Sequence, residues 1–237
     1  MNKKRLFIYI AIESILLTAL LTVQILTAVK GFMINDKSGP LFYPYSASFQ
    51  LSLTIVSFIY ALIEFILSNK KKVYFILPLY FLIISIADVF FSCTPYSIGG
   101  LIGFLCAYLL VFICRKPKYY EYIIAGSLIT ISIVILIIIK AFTPTMAVIM
   151  SLGVILAMNM ITTWIRYFRT RDKNLLLIAI AFALIFISDL CVGLRAMVLN
   201  PIALNHIISF IVWPTYVIGN VLIIIFKINN FQLIESK

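Results

Sequence analysis

Residues 120–139 read YEYIIAGSLITISIVILIII and contain a single charged residue, Glu121. As an α-helix with a rise of 1.5 Å per residue, this stretch would be about 30 Å long, which matches the hydrocarbon core of a bilayer. Its apolar residues are continuous and do not alternate with polar ones. The stretch therefore predicts a transmembrane helix and argues against a strand of a membrane β-barrel.

Seven further stretches have the same character. Of the 237 residues, 64% are hydrophobic and only 11% are charged, whereas ordinary soluble domains are about 25% charged. The sequence thus predicts an all-α, polytopic transmembrane helix bundle of about eight helices, organised as a single domain over residues 1–237. The predicted spans are residues 6–29, 49–68, 73–93, 97–114, 120–139, 143–165, 174–197 and 203–227.

The net charge of +11 does not indicate nucleic-acid binding, because the positive residues form short clusters between apolar stretches, as in membrane proteins. If the N-terminus is cytoplasmic, 15 of the 19 positive residues fall on the inside, and only Lys30, Lys37, Lys140 and Arg195 do not. The positive-inside rule then predicts that both termini are cytoplasmic. The inside residues are Lys3, Lys4, Arg5, Lys70, Lys71, Lys72, Arg115, Lys116, Lys118, Arg166, Arg169, Arg171, Lys173, Lys227 and Lys237.

Two smaller features complete the outline of the chain. The first apolar stretch is too long for the core of a signal peptide, so we expect it to be a retained helix. The loop 30–48 is the longest outer connection, and either an interfacial segment or an ordinary ordered loop fits its aromatic residues. The four cysteines form no CxxC pair, and we expect them to be buried as small hydrophobic residues: Cys93, Cys106, Cys114 and Cys191.

Ionisable residues inside a membrane are costly unless they are paired or hydrated, so each is a candidate functional residue. We expect Asp88 roughly 8 Å and Asp189 roughly 12 Å below the outer ends of their helices, at 1.5 Å per residue. By the same rise, Tyr108 and Tyr216 lie roughly 16–20 Å from the outer side. A polar pocket in the outer half of the bilayer would bring these residues together. The ionisable candidates are Glu13, Glu64, Asp88, Asp189, Arg195 and His206.

Two neighbouring carboxyl groups in such a pocket favour a state in which they share one proton. One can then deliver a proton while the other activates a water molecule. The alternative for Asp88 and Asp189 is structural, with each carboxyl capping a broken helix or pairing with Arg195.

The other candidates have simpler interpretations. Glu64 lies near the cytoplasmic end of its span and is expected to form an ion pair with the 70–72 lysines. His206 is predicted to be an interfacial hydrogen-bonding residue, since one histidine cannot make a metal site. Arg195 could bind a lipid phosphate or simply reach the headgroups, and Glu13 could belong to the pocket.

Motifs for other chemistries are missing from the sequence. It contains no GxSxG, phosphate-binding loop, HExxH or Cys–His arrangement, so neither a serine nucleophile nor zinc is indicated. No metal and no cofactor is predicted.

Three segments in this order resemble the YhhN, or lysoplasmalogenase-like, membrane family. The first is Ala87-Asp88, followed after a short turn by Gly99-Gly100-x-x-Gly103-Phe104. The others are Phe186-x-Ser188-Asp189-x-x-x-Gly193 and Pro214-Thr215-Tyr216-x-x-Gly219-Asn220-x-Leu222-Ile223. The resemblance extends over most of the chain from about Tyr74 onward.

The resemblance implies eight transmembrane helices and hydrolysis of the vinyl ether bond of lysoplasmalogens, which gives an aldehyde and a glycerophospho-alcohol. By motif position, the two catalytic aspartates of the family would be Asp88 and Asp189. The chain departs from the family pattern at four positions. Tyr108 stands where a histidine is usual, Ala87 replaces a glycine, Asn220 replaces a glutamine, and Arg195 aligns with an asparagine.

The sequence therefore predicts a lysoplasmalogenase-like hydrolase of the bacterial inner membrane, acting on a lipid or lysolipid. A non-enzymatic lipid-binding or small-molecule transport protein of the same fold is the alternative. Asp88 and Asp189 are the predicted catalytic residues. The predicted substrate-binding residues are Tyr108, Ser188, Tyr216, Asn220, Arg195 and Glu13.

Overall fold

The computed structural model describes residues 3–34, 43–67, 75–94, 97–197 and 202–226. These ranges contain eight α-helices and no strand. The all-α fold predicted from the apolar stretches is therefore confirmed. The helices are α1 (Lys3–Ile34), α2 (Tyr43–Ile66), α3 (Ile76–Cys93), α4 (Ser97–Cys114), α5 (Tyr119–Ile138), α6 (Pro144–Thr170), α7 (Lys173–Met197) and α8 (Ile202–Phe226).

The helices have the length and composition of membrane spans. Five of them, α1, α2, α5, α6 and α7, contain segments long and apolar enough to cross a membrane. The other three contain shorter apolar segments, which are Ile76–Phe91, Ile98–Cys114 and Phe210–Ile225. The chain is thus a multi-pass membrane protein, because its exposed surface is rich in large hydrophobic side chains that require lipid.

Some predicted boundaries differ from the observed ones. The helices α1 and α2 extend further into the predicted loop 30–48, and residues 35–42 lie outside the described part of the chain. The helix α6 continues to Thr170, past the predicted end at residue 165, and so includes the basic residues Arg166 and Arg169. Long basic side chains can reach the headgroups from such a helical end, so charge alone does not mark where a helix stops.

The helices pack in a ring that does not simply follow chain order. Around the ring, α1 contacts α2, α2 contacts α3, α3 contacts α4, and α4 contacts α6. The ring continues through α7 and α8 and closes where α8 packs on α1. The helix α5 packs against α6 from outside. The side chains that point inward from α2, α3, α4, α7 and α8 therefore meet in the interior.

The position of α5 explains its composition. Most of its large side chains are exposed, including Ile123, Ile131 and Ile138, as expected for a helix surrounded by lipid.

The prediction that the cysteines are buried is wrong at Cys106, which is exposed on α4, while Cys114 and Cys191 are half-buried. A thiol is apolar enough to face lipid, and this environment removes the reason to bury it.

Close packing of α3 on α4 depends on two glycines. A Cβ atom at Gly103 would lie 2.7 Å from the Cβ of Ala87, and one at Gly100 would lie 2.8 Å from the Ala87 carbonyl oxygen. Both distances are too short for a side chain, so glycine is required for this approach. The contact sets the position of the α3 segment that carries Asp88, directly after Ala87.

Candidate functional site

Asp88 lies on the inner face of α3 and is 3% exposed. Its Oδ2 atom accepts a hydrogen bond of 3.3 Å from the Tyr216 hydroxyl on α8. Its carboxyl group also interacts with the side chain of Thr54 on α2. Three helices therefore converge on this carboxyl.

Asp189 on α7 belongs to the same interior cluster. The residue as a whole is half-buried, but its Oδ2 atom is buried and has no hydrogen-bond partner within the described residues. The Tyr108 side chain of α4 adjoins this carboxyl. The two groups do not have the geometry of a hydrogen bond, and the buried Tyr108 hydroxyl has no hydrogen-bond partner in the described part of the protein.

The two carboxyl groups lie close enough to interact electrostatically. Tyr80 and Tyr216 each interact with both of them, and Tyr108 interacts with Asp189 and with both of those tyrosines. We call this group the acid cluster. It consists of Tyr80, Asp88, Tyr108, Asp189 and Tyr216, and it is drawn from α3, α4, α7 and α8.

Further polar side chains fix the geometry around the acid cluster. The Tyr80 hydroxyl donates a hydrogen bond of 3.3 Å to Oδ1 of Asn220, which is buried on α8. The amide of Asn159 on α6 donates a hydrogen bond of 3.1 Å to the backbone oxygen of Tyr108. The Asn220 Nδ2 atom has no partner among the described residues, so a polar group of a bound molecule can accept a hydrogen bond from it.

One form of the structural alternative, in which each aspartate caps a broken helix, is not what the structure shows. Asp88 and Asp189 both lie inside continuous helices, and so neither caps a broken one. The Arg195 side chain is not among the described ones, so its pairing with Asp189 stays a prediction. The His206 side chain is not described either, and its interfacial role also stays a prediction.

The structure brings most of the predicted site residues together. Asp88, Asp189, Tyr108 and Tyr216 form the core of the acid cluster, and Asn220 bonds to Tyr80. Ser188 is buried on α7 next to Asp189. Sequence reasoning missed Tyr80 and Thr54. Tyr80 precedes Asp88 by eight residues, a spacing that places both on one face of a helix, so this residue could have been found.

Glu13 lies in a second polar group between α1 and α2. Its Oε1 atom accepts a hydrogen bond of 2.8 Å from the Ser57 hydroxyl, and that hydroxyl also lies 2.9 Å from the Tyr9 hydroxyl. The carboxyl group of Glu64 accepts a hydrogen bond of 3.0 Å from Arg5. Glu64 thus forms an ion pair as predicted, but with a cation of α1, while residues 70–72 lie outside the described ranges.

A groove on the outside of the bundle is separate from the acid cluster. It is lined by residues of α1 and by Phe49 of α2, and it contains no acid-cluster residue. Its Thr18 and Thr22 hydroxyls donate to the backbone of their own helix. The acid cluster is therefore the stronger candidate site.

The fold and the acid cluster define the class of protein, which is a polytopic membrane helix bundle with a carboxyl pair in its interior. The YhhN family model matches residues 46–225 of the chain. This match covers more than half of the chain, and the protein belongs to the YhhN family, as its motifs indicated. Comparison with curated proteins and with solved structures gives no match.

Proposed function

We propose that the protein is a lysoplasmalogenase-like membrane hydrolase that cleaves the vinyl ether bond of a lysoplasmalogen. The observation that carries the proposal is that one interior cluster holds both the Asp88 carboxyl, which accepts a hydrogen bond from Tyr216, and the Asp189 carboxyl, which Tyr108 adjoins. Membership of the YhhN family supports it. The substrate class itself comes from the resemblance of the motifs.

The proposed reaction needs one proton donor and one acceptor. A neutral carboxylic acid protonates the alkene carbon of the vinyl ether, which forms an oxocarbenium ion. Water adds to this ion, and the ionised carboxylate takes the proton that the water releases. The resulting hemiacetal collapses to the aldehyde and the alcohol. The pair ends with one proton, as it began.

The aromatic hydroxyls would orient this pair. Tyr216 holds the Asp88 carboxyl by its hydrogen bond, and Tyr108, at the usual position of a family histidine, lies against Asp189. A tyrosine hydroxyl can donate to the oxygen of the departing alcohol when the hemiacetal collapses, because negative charge develops there in that step. We assign Tyr108, Tyr216, Asn220 and Ser188 to substrate binding. Glu13 lies with Ser57 and Tyr9 instead, and we do not assign it to substrate binding.

The alternative is a non-enzymatic lipid-binding or transport protein. The polar side chains that continue from Thr54 along α2 towards Ser57 favour it, because a transported molecule needs polar groups beyond a single site. For either function we propose a bacterial inner membrane with both termini in the cytoplasm, following the distribution of positive charge.

The test is aldehyde release by the purified protein from a 1-alkenyl lysophospholipid, with the 1-acyl analogue as the control substrate. We expect turnover of the alkenyl lipid alone, and a decrease of about 10²–10⁴-fold in Asp88→Asn, the range expected for loss of a general acid or base. The matched control is Asp172→Asn. Asp172 accepts from the Asn174 backbone at the start of α7, and asparagine makes the same cap. Equal rates for wild type and Asp88→Asn would reject the proposal.

A further inference from the structure

Phe104 of α4 contacts two tyrosines of the acid cluster at once. Its ring stacks on the Tyr108 ring, with centroids 6.4 Å apart and an angle of 21° between the ring planes. It meets the Tyr216 ring edge-on, with centroids 6.3 Å apart and an angle of 88°. Both arrangements are ones that aromatic pairs prefer. One ring therefore packs on two of the hydroxyl-bearing side chains of the acid cluster.

The two contacts differ in origin. Tyr108 follows Phe104 by four residues on the same helix, a spacing at which side chains meet on one face. Tyr216 belongs to α8, and α4 and α8 are not neighbours in the helix ring. The contact with Tyr216 therefore crosses the interior of the bundle, and helical spacing alone does not account for it.

Each of these tyrosines adjoins a different carboxyl group. The Tyr216 hydroxyl donates to Asp88 Oδ2 at 3.3 Å, and the Tyr108 side chain adjoins Asp189. A distance of 3.3 Å is long for a hydrogen bond between two oxygen atoms, so a small rotation of the Tyr216 ring would break it. Phe104 therefore lies where its packing can set the position of both hydroxyls relative to the carboxyl groups.

The position of Phe104 depends in turn on the close approach of α3 to α4. Gly103 directly precedes it, and a Cβ atom at Gly103 would meet the Ala87 Cβ at 2.7 Å. The Phe104 ring also packs edge-on against the Phe91 ring of α3, with centroids 6.5 Å apart. Phe104 is thus anchored on the helix that carries Asp88 while it contacts a tyrosine on the opposite side of the bundle.

We propose that Phe104 is a positioning residue of the acid cluster, which holds the Tyr216 hydroxyl on Asp88 and the Tyr108 hydroxyl against Asp189. A leucine at this position would fill part of the volume, but it would lack the flat face and the edge that fix the two rings. Close packing of this kind restricts a side chain to one rotamer and so keeps reacting groups in place. The effect on catalysis rests on the proposed hydrolase function, whereas the positioning of the tyrosines does not.

The test of the positioning is a double-mutant cycle on stability, which needs no substrate. In wild type, Tyr216→Phe removes the hydrogen bond to Asp88 and should raise the equilibrium constant of unfolding about fivefold, the effect expected for one hydrogen bond. In the Phe104→Leu background, Tyr216→Phe should change this constant by less than about twofold, because the hydroxyl is no longer held on the carboxyl. Phe104→Met repeats the cycle with a side chain of more similar volume. Unfolding titrations of the full-length protein in mixed micelles measure these constants.

The matched control is Phe112→Leu, the same substitution eight residues later on α4. Phe112 is 2% exposed, and its ring packs on the Tyr122 ring with centroids 5.5 Å apart, outside the acid cluster. Phe104 is only half-buried, so Phe112→Leu should cost at least as much stability as Phe104→Leu. The effect of Tyr216→Phe should nevertheless stay about fivefold in the Phe112→Leu background, because changes that do not act on one another are additive.

The kinetic part of the test uses the same variants in the aldehyde assay. Phe104→Leu should lower kcat about tenfold and change KM by less than about twofold, because misplaced groups weaken the transition state more than substrate binding. Phe112→Leu should lower kcat by less than about twofold. A purely structural role predicts instead that the loss of activity follows the loss of stability in the two variants.

Equal effects of Tyr216→Phe on stability in the wild-type and Phe104→Leu backgrounds would overturn the proposal, whether or not the protein cleaves the alkenyl lipid. An active protein in which Phe104→Leu keeps the wild-type kcat would overturn it as well. Loss of the Tyr216→Phe effect in the Phe104→Leu background, found together with absence of turnover, would support the positioning role and reject the hydrolase function alone.

Discussion

The Tyr216 hydroxyl and the Asp88 Oδ2 atom are 3.3 Å apart, although the residues are separated by 128 positions in the chain. They belong to α8 and α3, which are not successive members of the helix ring. The contact therefore crosses the interior of the bundle and does not follow a helix–helix seam. It holds one carboxyl of the proposed pair in a fixed orientation. Loss of this contact should therefore lower the rate of the reaction more than it lowers the free energy of unfolding.

Removal of that hydroxyl tests its contribution. We expect Tyr216→Phe to lower the rate of aldehyde release about 10–100-fold, since a single charge-stabilising hydrogen bond to a reacting group contributes a few kcal/mol at most. The free energy of unfolding should fall by only about 1 kcal/mol. Tyr122→Phe is the matched control, because Tyr122 is exposed on α5. A Tyr216→Phe variant with wild-type kinetics would contradict the assigned role.

Tyr80 should matter for both stability and activity. Its hydroxyl donates to Asn220 Oδ1, and Asn220 Nδ2 already lacks a partner within the described residues. Tyr80→Phe leaves a buried amide without its bond, which costs about 1–3 kcal/mol. We also expect a reduced rate, because Tyr80 interacts with both carboxyl groups. Chemical denaturation and the aldehyde assay, run on the same preparations, measure the two effects. An unchanged unfolding free energy would contradict the importance of this bond.

The glycines of α4 give a test of helix packing. A methyl group at Gly103 would meet the Ala87 Cβ at 2.7 Å, whereas one at Gly126 would meet nothing within 4 Å. We expect Gly103→Ala to lower the free energy of unfolding by about 1–3 kcal/mol, the usual cost of overpacking, and to reduce activity by moving Asp88. Gly126→Ala should be neutral or slightly stabilising. Similar stabilities for the two variants would show that α3 and α4 are not so tightly packed.

A buried ion pair ties α5 to Arg115, the residue that directly follows α4. The Arg115 side chain is fully buried, its Nη2 atom lies 2.6 Å from Glu121 Oε2, and its Nη1 atom donates to Thr162 of α6. Glu121→Ala leaves the arginine unpaired and should cost about 3–5 kcal/mol. Replacement of both Arg115 and Glu121 by leucine should recover most of this loss, because no buried charge remains. Unfolding titrations of the three proteins measure the difference. A Glu121→Ala variant as stable as wild type would contradict the account.

The helices were predictable because the bilayer imposes its thickness on the sequence. Stretches such as 120–139 and 174–197 agree with α5 and α7 to within a residue or two, since each apolar stretch must be about 20 residues long to span the hydrocarbon core. The ring order was not predictable. The external position of α5 follows from packing between helices that are distant in the chain, and no local pattern encodes it.

The acid cluster was partly predictable for a similar reason. Asp88, Asp189, Tyr108 and Tyr216 stand out because polar groups are rare and costly inside apolar helices. Depth along a helix follows from the rise per residue, but direction around the bundle does not. Glu13 is likewise a carboxyl inside an apolar helix, and yet it bonds to Ser57 and not to the acid cluster, a difference that depends on how α1 is rotated against α2.

The most direct test of the central claim is a double-mutant cycle on the carboxyl pair. Aldehyde release is measured for wild type, Asp88→Asn, Asp189→Asn and the double variant. If the two carboxyls act as one unit that shares a proton, each single change abolishes most of the activity and the double change costs little more, because groups that act together are not additive. Two independent effects that simply multiply, or single variants with wild-type rates, would contradict it.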